Sequence, residues 1–336
     1  MTTETFRAPD LAAAPPLKWG ILGAGWIAEL FAAGVNGHTK AEIVATGSRS
    51  LERAEAFAAE HMGGKAYGSY EELVADPDVQ AIYVATPHSH HREQALLAIN
   101  AGKHVLVEKA FARNEAEVQE VVDAARAKGV FVMEAMWTRF LPHVAAIRGA
   151  IARGDIGDVV SLQADHGQQL THVERLMKPE LAGGALLDLG VYPISFAHDI
   201  LGVPESVTAV GQLTETGVDG HVSMVLGYGD GVQATLSTTL WAQTPNAAVI
   251  AGTEGRIEID GDFYTPTTWR MIRNDGTKWE VDARHPNGYA FEAAEVASRV
   301  AAGDTESPRI TLDNSLEVMR TMDEVRRQIG LVYPGE

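Results

Sequence analysis

A glycine-containing turn near the start of the chain has the residue types and spacing of a dinucleotide-binding turn. Residues 23–28 read Gly-Ala-Gly-Trp-Ile-Ala and directly follow an apolar run at 19–22, which is the context that the G-x-G-x-x-G/A fingerprint requires. Gly23 permits the tight turn, Gly25 lets backbone N–H groups approach a pyrophosphate, and Ala28 permits close packing of helix against strand. The predicted cofactor residues of this turn are Gly23, Gly25, Trp26 and Ile27.

The residues after the second strand-like run, at 42–46, indicate which dinucleotide is bound. An NAD site usually carries an acid there to bind the ribose hydroxyls, whereas residues 46–51 read Thr-Gly-Ser-Arg-Ser-Leu. Ser48, Arg49 and Arg53 have the donors to bind a 2′-phosphate by charge-assisted hydrogen bonds. The sequence therefore favours NADP(H) over NAD(H). The alternative is that Arg49 is only the solvated start of the next helix.

Short apolar runs that alternate with helical patterns predict the fold of residues 17–135. The runs lie at 19–22, 42–46, 81–85, 104–107 and 130–133. Between the last two, apolar residues at 118, 121, 122 and 125 share one helical face, and Gly129 stands where the helix would end. This alternation predicts a Rossmann-type, doubly wound parallel sheet whose ligand lies at the carboxyl ends of the strands.

The second part of the chain, residues 136–336, has a different pattern. After a predicted helix at 143–153, strand-like runs follow one another at 157–165, 206–213, 221–227, 232–240, 247–252 and 255–259. The pattern predicts an α+β domain built on a large, mostly antiparallel open-faced sheet. Helices are predicted after Tyr192, at 289–302 and at about 315–329. The last helix is a candidate to pack back on the first domain. Residues 1–16 are predicted to form a flexible tail.

Composition narrows the class of protein. The 336 residues contain 27 Lys and Arg against 45 Asp and Glu, a net charge of -18, which disfavours binding to nucleic acid or to anionic membranes. The absence of cysteine excludes disulfides, a thiolate nucleophile and cysteine-ligated zinc. With no signal-like start and no apolar stretch of about 18 to 20 residues, we expect a soluble, cytoplasmic protein.

Two further segments carry residues typical of acid–base chemistry. Glu108 and Lys109 follow the strand-like run at 104–107, and a glycine-rich segment contains Asp188 and, four residues later, Tyr192. Together with the glycine turn, this arrangement resembles the glucose-fructose oxidoreductase, inositol dehydrogenase and MocA (Gfo/Idh/MocA) family. It is most similar to the dimeric dihydrodiol dehydrogenase and xylose dehydrogenase branch. That similarity lies in Met-Glu-Ala-Met-Trp-Thr-Arg-Phe at 133–140, Gly-Thr-Glu-Gly at 252–255 and Met-Asp-Glu-Val-Arg-Arg-Gln-Ile-Gly at 322–330.

The resemblance implies that Lys109 and Tyr192, from different domains, converge on the reacting hydroxyl or carbonyl with Asp188 beside them. Loss of hydride from a carbinol carbon requires a base for the hydroxyl proton, and a neighbouring ammonium favours the phenolate form of a tyrosine. Tyr192 is then the general acid/base, Lys109 its electrostatic partner and Asp188 an orienting or relaying group. Alternatively, each is structural: a solvated lysine, a helix-capping aspartate, and a tyrosine packed before Pro193. Ala110 replaces the proline of the family's Glu-Lys-Pro motif, which removes a constraint on the lysine backbone.

Residues 86–91 read Thr-Pro-His-Ser-His-His and follow a predicted strand. The resemblance places Thr86, Pro87 and His88 near the nicotinamide and its ribose, with His91 in a more structural role and Glu108 also among the cofactor residues. Three histidines also suggest a metal site. No metal is predicted, because the chain has no cysteine and the family uses none.

Trp137 and Arg139 fit a pocket wall, in which an aromatic face covers a sugar or diol and a guanidinium donates hydrogen bonds to it. Core packing is the alternative for Trp137. The weaker candidates for substrate contact are His166, Trp241 and Tyr289. In relatives the outer face of the second-domain sheet forms a dimer interface, so the resemblance implies a homodimer.

The function that the resemblance implies is NADP-dependent oxidation of an aldose, anhydrosugar or trans-diol. The reverse reaction, reduction of a keto-sugar or dicarbonyl, is a second possibility within the same family. A third is an NADP-sensing regulator that has lost turnover. A metal-dependent alcohol dehydrogenase is disfavoured by the absence of cysteine.

Overall fold

The computed structural model describes residues 2–5, 10–61 and 63–336, which divide into two compact units. The first unit combines residues 10–137 with 287–316. The second combines 138–286 and 317–336 with the N-terminal residues 2–5. This division groups 287–316, which the sequence analysis assigned to the second domain, with the dinucleotide-binding motif.

Strands and α-helices of the described residues are numbered separately along the chain. The strands are β1 (Thr2–Thr5), β2 (Lys18–Leu22), β3 (Glu42–Gly47), β4 (Lys65–Tyr67), β5 (Ala81–Val84), β6 (His104–Glu108), β7 (Val132–Ala135), β8 (Val159–Gly167), β9 (Ser206–Leu213), β10 (Asp219–Gly227), β11 (Gln233–Thr239), β12 (Ala248–Gly252), β13 (Gly255–Ile259), β14 (Thr268–Arg273) and β15 (Lys278–Asp282). The α-helices are α1 (Trp26–His38), α2 (Leu51–His61), α3 (Tyr70–Ala75), α4 (His91–Asn100), α5 (Glu115–Lys128), α6 (Pro142–Ala152), α7 (Val191–Leu201), α8 (Tyr289–Ala302) and α9 (Leu312–Ile329).

The first unit is built on a six-stranded sheet in the order β4-β3-β2-β5-β6-β7, with every neighbouring pair parallel. The order reverses between β2 and β5. In open sheets of this kind ligands bind beside the carboxyl ends of the strands at that reversal. The predicted doubly wound Rossmann sheet is confirmed. Strand β4 was not predicted, because its three residues, Lys-Ala-Tyr, show no apolar pattern.

Helix α5 shows how local sequence sets an element of this unit. The Asn114 side chain accepts a hydrogen bond from the Glu117 N–H at 2.9 Å, which satisfies one N–H of the first turn. The predicted apolar face, Val118, Val121, Val122 and Ala125, is buried. Gly129 ends the helix in the left-handed region, at φ 68°, as its position predicted.

The second unit is built on a nine-stranded sheet in the order β1-β15-β14-β13-β12-β8-β11-β10-β9. Only the β1–β15 and β8–β11 pairs are parallel. The predicted mostly antiparallel sheet is therefore confirmed, although β1, β14 and β15 were not predicted as strands. Helix α7 packs on β8 and β11.

A π-helical turn, Leu186–Gly190, leads directly into α7, so the helix begins before Tyr192 and not after it as predicted. The buried carboxylate of Asp219 accepts the Leu186 N–H at 2.6 Å and so satisfies a donor at the start of the turn. That partner lies 33 residues away in sequence, which is why the start was not recognised.

Within the predicted N-terminal tail, residues 1 and 6–9 lie outside the described residues. Thr2–Thr5 form β1, and a 3-10 turn, Leu11–Ala13, begins at Asp10, whose carboxylate accepts the Ala12 N–H at 3.0 Å. Leu11 is buried. Parts of this segment therefore have defined secondary structure.

Candidate active site

The glycine turn joins β2 to α1 and leaves the helix N-terminus open. Gly23 has φ 104°, and a Cβ there would lie 2.8 Å from the Ala85 carbonyl oxygen, so glycine is needed on both grounds. Gly25 is the N-cap of α1, and a Cβ on it would meet nothing within 4 Å. Trp26 is exposed, and Ile27 is partly buried. Backbone N–H groups at an open helix N-terminus are suited to bind the pyrophosphate of a dinucleotide.

The residues predicted to select NADP(H) lie after β3. The backbone of Ser48, which is buried, donates to the Tyr67 carbonyl at 3.1 Å. Arg49 and Arg53 are exposed. The Arg53 guanidinium donates to the Ala24 carbonyl at 3.3 Å, so it lies against the glycine turn. This arrangement places a positive charge next to the predicted dinucleotide-binding turn.

The loops after β5 and β6 are joined by His91. Its two ring nitrogens lie 2.8 Å from the Ala110 carbonyl oxygen and 2.7 Å from that of Thr86. Burial lowers the pKa of His91 to about 4, while its contacts with the two carbonyl oxygens act in the opposite direction. The Thr86 hydroxyl donates to Gln94 at 2.6 Å, and the buried ring of His88 packs edge-on against that of His91, 5.5 Å between centroids. Pro87 precedes His88 as the N-cap of a 3-10 turn.

Glu108 is buried at the end of β6 and is held by two neighbours. Its carboxylate accepts hydrogen bonds from the Tyr83 hydroxyl and, at 3.1 Å, from the backbone N–H of Lys109. Lys109 is partly buried, and the peptide bond between Lys109 and Ala110 is cis. The glutamate of the Glu-Lys pair therefore fixes the backbone of the lysine.

A second buried acid, Glu292 on α8, was not predicted from the sequence. It is 0% exposed, and neither carboxylate oxygen has a hydrogen-bond partner among the described residues. Burial raises the pKa of Glu292 well above its usual range, and the charge of Glu108 raises it further. Both effects favour the protonated form of Glu292, which avoids two neighbouring buried charges.

We expect Glu292→Gln to stabilise the protein at pH 8 relative to the wild type, and to do so less at pH 5. As the pH rises above the ordinary pKa of glutamate, the unfolded chain ionises Glu292 while the folded chain does not. The wild-type free energy of unfolding therefore falls, by at most about 1.4 kcal/mol per pH unit, until the raised pKa is passed. Glutamine has no such dependence. Urea unfolding at both pH values measures the difference between the two proteins.

The control for this experiment is Glu71→Gln, since Glu71 is exposed. Its stability should follow that of the wild type at both pH values. A stability difference between Glu292→Gln and the wild type that does not change with pH would show that Glu292 is ionised in the folded protein.

Two predicted substrate residues of the first unit lie against each other. The rings of Trp137 and Tyr289, the first residue of α8, stack with 4.4 Å between centroids and 11° between planes. Trp137 is 6% exposed. One face of the indole thus contacts the phenol ring, which is the packing role that the sequence left open for Trp137.

In the second unit, Asp188 and Tyr192 are one helical turn apart. Asp188 lies in the π-helical turn and Tyr192 in the first turn of α7, and both are largely buried. The guanidinium of Arg175 donates from both terminal nitrogens to Asp188 Oδ1, each at 3.1 Å. Hydrogen bonds from a charged guanidinium fix the orientation of this carboxyl group.

Tyr192 belongs to a cluster of three rings with His166 and Tyr264. The centroid distances are 5.1 Å for His166–Tyr192, 4.1 Å for His166–Tyr264 and 5.0 Å for Tyr192–Tyr264. His166, at 1% exposed, is fully enclosed. The amide nitrogen of Gln168 lies 3.0 Å from His166 Nε2 and 3.0 Å from the Tyr264 hydroxyl. We call these four residues the aromatic cluster. The predicted pair of His166 and Tyr192 is brought together in it.

The remaining predicted substrate residues, Arg139 and Trp241, make other contacts. Arg139 is 4% exposed, and its guanidinium donates to the side chain and carbonyl of Ser195 at 3.0 and 3.1 Å. Trp241 is 40% exposed, and its ring lies parallel to that of His221 at 6.4 Å. The contacts of Arg139 link its guanidinium to Ser195 of α7.

Sequence reasoning missed Arg175, Gln168, Tyr264 and Glu292. The first three lie in segments without a periodic pattern, and their partners depend on how those segments fold. Glu292 lies in a correctly predicted helix, and an acid within its apolar face was the signal that could have identified it. No described residues form a group of three or more acids and histidines arranged to hold a metal. Among the described helices, none has the length and apolarity to cross a bilayer.

Comparisons with known proteins extend over almost the whole chain. Residues 17–136 match the model of the oxidoreductase family GFO_IDH_MocA, with an NAD-binding Rossmann fold, and residues 144–258 match the C-terminal domain model GFO/IDH/MocA. A trans-1,2-dihydrobenzene-1,2-diol dehydrogenase of Xenopus tropicalis is 41% identical over 330 residues, 94% of this chain and 99% of the relative. The enzyme of that name from Bos taurus is 39% identical over 332 residues, 95% of this chain and 99% of its own.

Solved structures of the same fold include NADP complexes. A 3-ketoreductase from Actinomadura kijaniata, in complex with NADP and TDP-benzene, has a TM-score of 0.86 at 26% identity, covering 94% of this chain and 98% of its own. An aldose-aldose oxidoreductase from Caulobacter crescentus has a TM-score of 0.84 at 23% identity, covering 94% and 97%. At that identity the second likeness shows the fold alone.

Proposed function

Because the chain belongs to the GFO/IDH/MocA family of oxidoreductases, we propose that it transfers hydride between NADP(H) and a hydroxyl-bearing carbon of a trans-diol, sugar or anhydrosugar. The observation that carries the proposal is the arrangement of Asp188 and Tyr192. The phenol lies one helical turn from an aspartate that Arg175 fixes, and it packs against an enclosed imidazole, that of His166. Similarity to diol dehydrogenases over 94% of the chain supports the substrate class.

In the proposed mechanism this chain supplies proton transfer and orientation. When bound, NADP+ would supply the acceptor for the hydride. Tyr192 removes the hydroxyl proton as the carbonyl forms and returns it in the reverse direction. Lys109 acts through its positive charge, which favours the phenolate of Tyr192 and polarises the carbonyl in reduction. Asp188 orients the phenol or relays its proton.

We propose that the cofactor is held by three groups of residues. The glycine turn and the start of α1 bind the pyrophosphate, the residues after β3 bind the adenine ribose, and the loops after β5 and β6 bind the nicotinamide half. These residues are Gly23, Gly25, Trp26, Ile27, Ser48, Arg49, Arg53, Thr86, Pro87, His88, His91, Glu108 and Lys109.

The proposed substrate residues are Tyr192 with His166, Trp137 and Tyr289. Tyr289 and Tyr264, the partly buried members of the two ring stacks, supply flat apolar surfaces of the kind that bind the carbon face of a sugar or a cyclic diol. We also propose Arg139 and Trp241 as substrate residues; the hydrogen bonds to Ser195 use two of the five guanidinium donors of Arg139 and hold the group in place.

The cofactor preference can be tested at the arginines after β3. We expect Arg49→Ala and Arg53→Ala together to lower kcat/KM for NADP+ by about 10- to 100-fold, because charge-assisted hydrogen bonds to the 2′-phosphate are lost. The value for NAD+ should stay the same, since NAD+ lacks that phosphate. Steady-state rates with each cofactor at a fixed concentration of diol measure both values.

Arg327→Ala is the matched control, because this arginine side chain is 71% exposed and belongs to the second unit. It should leave both values unchanged. Equal losses with NADP+ and NAD+ in the Arg49 and Arg53 variant would remove the 2′-phosphate role, and a wild-type preference for NAD+ would do the same.

The substrate class is tested by a panel of trans-diols, aldoses and anhydrosugars with NADP+, and of keto-sugars and dicarbonyls with NADPH, followed by NADPH absorbance. Turnover of a diol or sugar supports the proposal. Exclusive turnover of keto-sugars favours the alternative of a ketoreductase, which the likeness to a 3-ketoreductase supports. No turnover, together with tight NADPH binding, indicates a regulator instead.

We also propose a homodimer formed through the outer face of the nine-stranded sheet. Val210 on β9 and Val225 on β10 are 68% and 38% exposed, and the register of the two strands places them on one face. Exposed valines on neighbouring strands provide an apolar surface that a second copy would bury. The mass in solution, measured by light scattering, tests this proposal.

A further inference from the structure

Gln168 makes two hydrogen bonds that fix the polar groups of the aromatic cluster. Its amide nitrogen lies 3.0 Å from His166 Nε2 and 3.0 Å from the Tyr264 hydroxyl oxygen. An amide nitrogen has two hydrogens and no lone pair to accept with, so it donates in both directions. His166 Nε2 and the Tyr264 oxygen must therefore both be acceptors.

The other ring nitrogen of His166 shows independently that Nε2 is an acceptor. Nδ1 lies 3.2 Å from the Leu189 carbonyl oxygen, which can only accept, so Nδ1 carries the ring proton. Nε2 then has a lone pair directed at Gln168. A second proton on the ring would remove the acceptor that Gln168 uses. The cluster thus holds His166 as the neutral Nδ1–H tautomer.

The Tyr264 hydroxyl donates its proton to no acceptor among the described residues. Its oxygen accepts from Gln168, and no described residue accepts its proton. Burial raises the pKa of Tyr264 above its usual value, so the hydroxyl keeps that proton at neutral pH. The side chain is only partly buried, whereas His166 is enclosed. Tyr264 is therefore the member of the cluster that can present a hydrogen-bond donor to a ligand.

The backbone around Tyr264 is held in place. The Thr138 hydroxyl donates to the Tyr264 carbonyl at 2.9 Å, and His143 Nε2 lies 3.1 Å from the carbonyl oxygen of Phe263. The ring itself stacks on His166 with 24° between planes. A donor on a side chain fixed at both the backbone and the ring loses little conformational entropy when it binds a ligand.

We propose that the Tyr264 hydroxyl donates a hydrogen bond to a second substrate oxygen. This oxygen lies on the carbon next to the one whose hydroxyl proton Tyr192 removes. The two rings are 5.0 Å apart and pack on the same imidazole, so two phenol groups can reach oxygens on neighbouring carbons. This inference rests on the proposed function and sharpens it. The site selects vicinal diols and their α-hydroxy carbonyl products over alcohols with one hydroxyl.

The test measures binding without turnover. Protein saturated with NADPH cannot oxidise an alcohol, so calorimetric titration with trans-cyclohexane-1,2-diol or with cyclohexanol reports affinity alone. We expect Tyr264→Phe to weaken binding of the diol by about five- to tenfold, the effect of one neutral hydrogen bond, and to leave binding of cyclohexanol unchanged. The cyclohexanol affinity also shows that the variant site is intact.

Tyr228→Phe is the control, because this phenol lies outside the cluster and its hydroxyl has no partner among the described residues. It should bind both alcohols as the wild type does. Equal weakening of both alcohols in Tyr264→Phe, no weakening of the diol, or failure of the wild type to bind the diol would each overturn the inference. Wild-type binding of the diol that depends on Tyr264, without turnover on addition of NADP+, would support it while refuting the proposed function.

Discussion

We expect Tyr192→Phe to lower the turnover of a trans-diol with NADP+ by about 10²- to 10⁴-fold, the usual contribution of a positioned acid or base. Phenylalanine keeps the ring that packs against both His166 and Tyr264 and removes only the hydroxyl. Without it the alcohol proton has no acceptor at the moment when hydride leaves. Initial rates at saturating diol and NADP+ measure the loss.

Two further measurements separate proton transfer from folding and binding. Affinity for NADPH, followed by fluorescence, should be unchanged, because the proposed cofactor residues do not include Tyr192. The circular dichroism spectrum and the melting temperature should also match those of the wild type. Turnover close to that of the wild type would exclude Tyr192 as the general acid/base, and an equal loss of NADPH binding would indicate a structural role.

The parts of the fold that the sequence predicted are those that local patterns encode. The glycine turn at 23–28, the apolar face of α5 and its glycine stop each depend on residues within a few positions of one another. The strand-like runs that correspond to β8 to β13 are also recognisable from their local pattern. Strand β15 differs, because its sequence, Lys-Trp-Glu-Val-Asp, has only two apolar residues, and its pairing partners, β14 and β1, supply its place in the sheet.

The candidate site was predictable only in part, because many of its contacts join residues that are far apart in the sequence. Asp188 and Tyr192 were identified through the resemblance to the family, whose motif has an aspartate followed four residues later by a tyrosine. The Arg175 partner of Asp188 and the Tyr264 ring beside Tyr192 depend on the path of the chain through segments that have no period. The hydrogen bond from Arg139 to Ser195 likewise joins residues 56 positions apart, so no local pattern predicted it.

We expect Lys109→Met to lower turnover by about 10²- to 10⁴-fold and Lys109→Arg to lose less, because arginine retains a positive charge. Methionine is similar in length and removes that charge. The hydrogen bond from the backbone N–H of residue 109 to Glu108 does not depend on the side chain, so the loop should persist. Turnover of both variants is compared with that of the control Lys128→Met, which removes the charge of an exposed lysine.

Combining Lys109→Met with Tyr192→Phe tests whether the ammonium and the phenol act in one step. Residues that act as a unit in catalysis have strongly non-additive effects. The turnover of the double variant should therefore fall about as far as that of the less active single variant, and not by the product of the two losses. If Lys109 served only to bind the cofactor, its loss would appear in the KM for NADP+ and would multiply with that of Tyr192→Phe. Multiplied losses, or turnover of Lys109→Met close to that of Lys128→Met, would exclude a shared proton-transfer step. If the double variant loses no more than the less active single variant, and only kcat falls, the charge of Lys109 and the hydroxyl of Tyr192 stabilise the same transition state.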